Sequence, residues 1–283
     1  MAEITAVAVK ALRDKTGLPM MECKKALVDA DGDQELAVTK LRESGAKTMA
    51  KRADRQTSFG RFGIYTSIAP GAGAMVELKC ESAPVTQNED FIQLANDLAE
   101  QLATKSDITT ADELLDQTSP TQTEKTLREV KDDLFNRIRE VFNIGRMIRI
   151  DGPCGGYSHN ATTVSGAIMH IEGGNAEAAK DICMHIAALS PKALHTEELD
   201  QELVAKERSI LTEQARQEGK PDNIIEKMVE GRMRNFYAQH VLTEQSFVKD
   251  DSVTVGKFAS SQNMTLKKFV HWVLGDDNQP EEA

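Results

Sequence analysis

Thr16-Gly17-Leu18-Pro19-Met20-Met21-Glu22-Cys23-Lys24-Lys25-Ala26-Leu27, followed closely by Gly32-Asp33, is the stretch that decides how the start of this chain folds. Upstream of it, Ile4, Val7, Ala8 and Leu12 recur at i, i+3, i+4 and i+8, which predicts one apolar stripe on a first helix. That helix stops at Gly17, a residue able to take the left-handed conformation beyond a helix end. Pro19 suits the first position of a second helix, whose inward face carries Cys23, Ala26 and Leu27. Gly32 breaks the second helix. Asp33 is then placed to accept from the free N–H groups of a third, running through Leu36, Ala37 and Leu41 to Gly45. A three-helix module this small has little room for a cleft, so its expected use is as a docking surface.

Further along, the order of elements repeats. Gly60-Arg61-Phe62-Gly63-Ile64-Tyr65-Thr66-Ser67-Ile68, a Pro-Gly turn at Pro70, and Ala74-Met75-Val76-Glu77-Leu78-Lys79-Cys80 read as two strands, followed by a helix through Phe91, Leu94, Ala95, Leu98 and Leu102. Gly155-Gly156-Tyr157-Ser158-His159 and Val164-Ser165-Gly166-Ala167-Ile168-Met169-His170-Ile171 read the same way, before a helix over 176–189. Two strand-strand-helix subdomains are therefore expected, joined by a charged connector helix over 114–142. Residues 197–240 then read as a helical hairpin. Leu199, Leu203, Ile210 and Ala215 line its first arm, Gly219-Lys220-Pro221 breaks it, and Ile224, Ile225, Met228, Val229, Met233 and Phe236 return on the second. The fold class is α+β.

Composition sets wide bounds. The chain has 283 residues and a formal net charge of −11. Residues 1–55 hold eleven Lys and Arg against nine Asp and Glu, a local +2 that leaves −13 for the rest. Overall acidity argues against direct nucleic-acid binding, which needs a basic surface to displace counterions. The modestly basic head suits an acidic protein partner or simply a mixed solvated helix surface. No apolar run reaches the ~18 residues a membrane span needs, and the start lacks a basic signal-peptide n-region, so a cytoplasmic protein without membrane attachment is expected. Cys23, Cys80, Cys154 and Cys183 are widely spaced and read as buried reduced thiols. His159, His170 and His185 with Cys154 and Cys183 fit no common zinc spacing, and there is no Walker-type glycine loop, so no metal, cofactor or bound GTP is expected.

Two stretches carry a family likeness. The run from Leu12-Arg13 through Thr16-Gly17, Met21 to Leu27, Gly32-Asp33, Ala37, Leu41-Arg42, Gly45-Ala46 and Lys51-Arg52-Ala53 resembles the N-terminal part of bacterial elongation factor Ts (EF-Ts). So does the hairpin stretch Gly219-Lys220-Pro221 through Ile225-Glu226-Lys227-Met228-Val229-Glu230-Gly231-Arg232-Met233. The resemblance implies a guanine-nucleotide exchange factor for elongation factor Tu (EF-Tu), acting without covalent chemistry. The alternative is a noncatalytic EF-Tu-binding chaperone or regulator on the same scaffold. It implies a UBA-like three-helix domain over 1–55, a first core subdomain with its connector over 56–146 and a second beginning over 147–195. The hairpin insertion over 196–240, completion of the second subdomain over 241–275 and an acidic tail over 276–283 follow. Homodimerisation through the hairpin stays open.

The resemblance also assigns contacts to EF-Tu. The family's Thr-Asp-Phe-Val wedge falls on Ser82, Ala83, Pro84 and Val85, so the acidic group and the aromatic ring are both absent. Three readings follow: an inserting loop in which rigid Pro84 replaces the ring, exchange through the other family contacts, or binding with poor exchange. His159 matches the family's Tyr-x-His, and the Ile-Gly pair falls on Ile138 and Arg139, without the Gly. Lys51 and Arg52 match a basic position at the end of the first domain, and Met20 and Met21 divide between core and docking surface. The ending is too short and acidic for the family's further C-terminal helix, which implies a disordered tail and a smaller docking area at that end.

Overall fold

The computed structural model describes residues 4–52, 54–69, 71–161, 163–219 and 221–276. Ala53, Pro70, Lys220 and, apart from Asp276, the acidic tail lie outside the described residues. The chain divides into two compact units, residues 1–63 with 76–148 and residues 64–75 with 149–283.

In the first unit, α1 (Ala6–Thr16), α2 (Met20–Asp29) and α3 (Gln34–Ala50) share a core of Val9, Leu12, Leu18, Cys23, Ala26, Leu27, Ala37 and Leu41. Thr5 caps α1 by accepting from the Ala8 N–H, and Asp33 caps α3 by accepting from Glu35 and Leu36. The apolar stripe of α1 differs from the expected one. Val7 is 78% exposed and Val9 is buried, because successive residues step 100° around a helix and Val7 lies on the far side from Val9. α3 also runs past Gly45. A Cβ there would sit 1.8 Å from Asn136 Oδ1, so the glycine marks a close approach to a later helix, not a helix end.

β1 (Phe59–Tyr65) and β2 (Ala72–Cys80) precede α4 (Glu89–Thr104). The connector expected as one helix divides into α5 (Ala111–Leu115) and α6 (Leu127–Ile138). Ser119-Pro120 interrupts it, and Ser119 and Thr121 donate to the buried Asp97 carboxylate of α4 at 2.7 and 2.5 Å. Thr126 and Glu129 restart the helix with a capping box. β3 (Phe142–Asp151) runs through the expected boundary at 146–147 and completes a sheet of order β1-β2-β3. The strand escapes a hydropathy reading because Arg146 interrupts its alternation, paired with the buried Glu77 at 3.0 Å.

The second unit contains β4 (Cys154–Asn160), β5 (Val164–Gly173) and α7 (Ala176–Leu189). α8 (Gln201–Gln217) and α9 (Asp222–His240) follow, then β6 (Ser246–Phe247), β7 (Asp250–Thr254), α10 (Val255–Ser261) and β8 (Met264–Val273). β4, β5 and β8 form an antiparallel sheet in that order. Ala167, Met169 and Ile171 of β5 pack with Ala179, Ile182, Cys183 and Ile186 of α7. β8 falls within the stretch 241–275 expected to complete this subdomain; Lys267 and Lys268 hide the alternation of Met264 and Leu266, which are buried. α8 and α9 pack together through Ala215, Ile225, Val229 and Met233, with Val204 and Leu211 partly buried. Leu203 and Ile210 are instead 36% and 42% exposed. Eleven residues close to within about 20° of three helical turns, so Ala215 stays in phase with Val204 and not with Leu203.

One device recurs in both units. The backbone of Gly63 on β1 lies so close to α4 that a Cβ would meet the Ala95 carbonyl oxygen at 1.8 Å, and a Cβ on Gly155 of β4 would meet the Ala179 Cβ of α7 at 2.5 Å. In each case a strand glycine faces a helix alanine, which lets the helix settle directly on the strand. Gly63→Ala is therefore expected to cost about 1–3 kcal/mol or more through overpacking, since it meets backbone at 1.8 Å, while Gly155→Ala costs somewhat less because its nearest obstacles, the Ala179 Cβ and backbone carbonyl, stand farther off at 2.5–3.0 Å. Urea unfolding of the two variants measures the difference.

Candidate functional site

Cys80 ends β2, and the chain turns at once into a short 3-10 helix, Ala83–Gln87. Pro84 stands in its first turn, where its missing N–H has no partner to lose. The turn is held from several directions. The Ser82 N–H donates to Glu140 Oε2 at 2.9 Å and the Ser82 hydroxyl to Oε1 at 2.5 Å, so one carboxylate grips both donors of one residue. Glu81 accepts from the Val141 N–H at 2.8 Å and from Arg55 at 2.9 Å. The Arg61 guanidinium donates to the Thr86 carbonyl at 2.7 Å, and the Thr86 hydroxyl donates to the Ala83 carbonyl at 2.8 Å. Val85 is buried beneath the turn, whereas Ala83 and Pro84 are exposed on its crest.

The ionisation of these anchors suits a fixed turn. Burial works to raise the Glu81 pKa, but donation from Val141 and Arg55, with the charges of Arg55 and Arg52 nearby, holds its carboxyl below the ordinary range. A depressed acid contributes stability that is complete above its unfolded pKa and is lost as pH falls through the folded value. At neutral pH the anchor is ionised. The Cys80 thiol, raised by burial and then by Glu140 to about 12, stays protonated. Cys154 is pushed by burial to about 11, and burial also raises Cys183. All four cysteines are free and buried. Thiols as reluctant to ionise as Cys80, Cys154 and Cys183 are poor nucleophiles and poor metal ligands. Among the described residues, no group of three or more His, Cys, Asp and Glu could hold a metal ion.

The segment 139–141 ties this turn to the three helices. α6 ends at Arg139, which adopts φ +66° in the left-handed region. Its guanidinium donates to Glu22 on α2, and its carbonyl accepts from Arg52 just beyond α3. Elsewhere α6 meets α3 closely where Gly45 faces Asn136 and more openly at its charged pairs. Arg42 stands 3.7 Å from Glu129 and 4.0 Å from Asp133, both pairs solvent-exposed in part, beside a cleft of about 490 Å³ lined by Lys15, Val38, Leu41 and Arg137. Exposed pairs of this kind contribute about 0–1 kcal/mol.

Of the residues singled out in the sequence, Ser82, Ala83, Pro84 and Val85 form the turn, and Arg52 and Ile138 lie at the segment that anchors it. Lys51 is exposed at the end of α3. Met20 and Met21, 41% and 72% exposed, stand at the start of α2 immediately before Glu22. His159 belongs to the second unit, on β4 opposite Ser165, where its Nδ1 lies 3.2 Å from the Tyr157 hydroxyl. The anchors Glu140, Glu81 and Arg61 were invisible to sequence reading. Their partners stand as many as 60 residues away and no local pattern marks them.

Arg139 tests how the tie is balanced. A left-handed L-residue costs about 1–2 kcal/mol, which glycine avoids, while the partly exposed Arg139–Glu22 pair contributes about 0–1 kcal/mol. Arg139→Gly is therefore expected to leave the unfolding midpoint unchanged or slightly raised in a thermal melt, and a large fall would show that the pair outweighs the strain.

Comparison with known proteins places these features in a family. The family model described as Elongation factor TS matches residues 46–276. The chain is 40% identical to the elongation factor Ts of Hyphomonas neptunium over 284 residues, covering 98% of this chain and 93% of that relative. It is 39% identical to the elongation factor Ts of Methylococcus capsulatus over 283 residues, covering 99% and 95%. To the elongation factor Ts of Haemophilus influenzae it is 40% identical, covering 100% and 95%. Among the described residues no helix is long and apolar enough to cross a membrane.

Proposed function

The chain belongs to the elongation factor Ts family, a guanine-nucleotide exchange factor for EF-Tu in translation elongation, and we propose that the pinned turn Ser82–Val85 is the element that disturbs the phosphate and Mg²⁺ site of EF-Tu. Exchange of this kind needs negative coupling and no covalent chemistry. The factor and the nucleotide each weaken the other's hold on the GTPase by the same amount. Each tenfold gain in release rate requires about 1.4 kcal/mol of preferential stabilisation of the opened state.

The observation that carries the proposal is the double grip of Glu140 on Ser82 beneath an exposed Ala83-Pro84 crest. A crest without an aromatic ring buries less area on a partner. Its compensation is order: each backbone residue already fixed spares about 1–2 kcal/mol of conformational entropy at the encounter. Val85 serves from below, as the buried foot of the turn. Met20 and Met21 supply a separate docking patch whose thioethers adapt to the partner's shape, and Lys51 and Arg52 are assigned to the same partner as basic contacts by family likeness. Ile138 and His159 are assigned to the same partner by family likeness.

The domain reading is proposed on similar grounds. The shared core of α1–α3 supports a UBA-like module, and the matching Gly63–Ala95 and Gly155–Ala179 contacts support two related subdomains, the second interrupted by the hairpin of α8 and α9. Exposed Leu203 and Ile210 on α8 support self-association through that hairpin, which sedimentation velocity would test.

Pro84→Gly separates the two contributions. Releasing the crest is expected to cost about 0.4–1 kcal/mol, lowering the maximal rate of GDP release from EF-Tu by about twofold to fivefold. Met21→Ala is expected to raise the EF-Ts concentration needed for half-maximal acceleration and to leave the maximal rate nearly unchanged. An unaltered maximal rate in Pro84→Gly would remove the turn from the exchange mechanism.

A further inference from the structure

The segment Arg139-Glu140-Val141 makes three kinds of contact in three consecutive residues. Arg139 reaches the α2 residue Glu22 with its side chain and receives Arg52 on its carbonyl. Glu140 holds both donors of Ser82. The Val141 N–H donates to Glu81, which Arg55 also holds. All of these residues lie in the first unit. The side that faces the three helices and the side that faces the turn are thus adjacent residues on one piece of backbone.

That backbone is stiff where stiffness is needed. The left-handed turn at Arg139 is stabilised by its helix-capping N–H bond to the Phe135 carbonyl, at 2.7 Å. It aims the side chain of Arg139 one way and that of Glu140 another. α6 also meets the three helices closely where Gly45 faces Asn136 and Gly17 faces Arg137, while the long Arg42 pairs beside the cleft allow small rearrangements at little cost. A shift of α2 is therefore transmitted through Glu22 and Arg139 to the neighbouring Glu140. A second tie, from Arg55 beyond α3 to Glu81, reaches the turn from α3 and not from α2, and Arg61 and Thr86 belong to the strand and turn themselves.

We propose that Arg139, with Glu22, is a positioning pair that couples the seating of the N-terminal helices on the partner to the geometry of the Ser82–Val85 turn. Docking through Met20 and Met21, which directly precede Glu22, then orders the exchange element through Arg139-Glu140, so binding and release are linked within one unit. The inference rests on the assignment of the turn as the exchange element. Its structural half, the coupling of α2 to Ser82 in the free protein, stands independently of that assignment.

The test is a mutant cycle in the full chain: Glu22→Ala, Arg139→Gly, Glu140→Ala, the double variant Arg139→Gly with Glu140→Ala, and the charge-reversed pair Glu22→Arg with Arg139→Glu. Two readouts are taken for each, amide hydrogen exchange at Ser82 and Val141 in the free protein and the maximal rate and half-saturating concentration of GDP release from EF-Tu. Glu22→Ala touches no residue of the turn. Coupling predicts that it and Arg139→Gly nevertheless speed amide exchange at Ser82 and lower the maximal release rate by about fivefold. Arg139→Gly is expected to add nothing to Glu140→Ala, and the charge-reversed pair to recover most of the lost rate. Additive effects in the double variant, or Glu22→Ala changing only the half-saturating concentration with Ser82 protection intact, would overturn the coupling. If amide exchange responds as described while Pro84→Gly leaves release unchanged, the coupling stands and the role of the turn in exchange falls.

Discussion

What the Ser82–Val85 turn can do as the proposed exchange element depends on the two hydrogen bonds by which Glu140 holds Ser82. A carboxylate that accepts from both the N–H and the hydroxyl of one residue sets the direction in which the chain leaves β2, and with it the height at which Ala83 and Pro84 stand. The pairing works because Glu140 follows directly on the left-handed end of α6. Arg139 takes up the reversal of direction and Glu140 emerges facing the turn. Because the Cys80 thiol stays protonated beside these carboxylates, the cluster carries no competing thiolate charge.

Rigid placement changes what a small crest is worth. A large aromatic side chain inserted into a partner draws on buried area, whereas a fixed Ala-Pro crest draws on entropy already lost during folding. Both routes can favour a nucleotide-free state, provided the partner offers a matching cavity. The charged pairs between α6 and the N-terminal helices, set beside the close Gly45–Asn136 approach, belong to the same logic. An apolar seam packed along its whole length would hold the proposed docking patch and the turn in one arrangement, while charged ties let docking bias a neighbouring element.

Much of the fold was legible from local pattern. Gly17 and Gly32-Asp33 punctuate the first helices as their chemistry dictates, and the 3.6-residue period located the helix over 176–189 without error at either end. Local pattern failed where burial is decided by a distant partner. Val7 and Val9 have equal hydropathy, and only the position of α2 and α3 tells which one faces inward. Leu203 and Val204 pose the same choice, settled by the phase of Ala215 against α9. β3 was hidden because the half-buried Arg146 stands in the strand by virtue of the buried Glu77, 69 residues earlier. For the site, the turn and Pro84 were visible through family likeness, while Glu140 and Arg61 were not. A polar residue acquires a role there only when folding brings its partner within reach.

Release of a fluorescent GDP analogue from EF-Tu, followed with excess unlabelled GDP while this protein is titrated, tests the central claim most directly. Saturable acceleration at substoichiometric amounts is the predicted result, since an exchange factor turns over. Stoichiometric binding of EF-Tu without acceleration would contradict it and leave a noncatalytic binding protein on an exchange-factor scaffold.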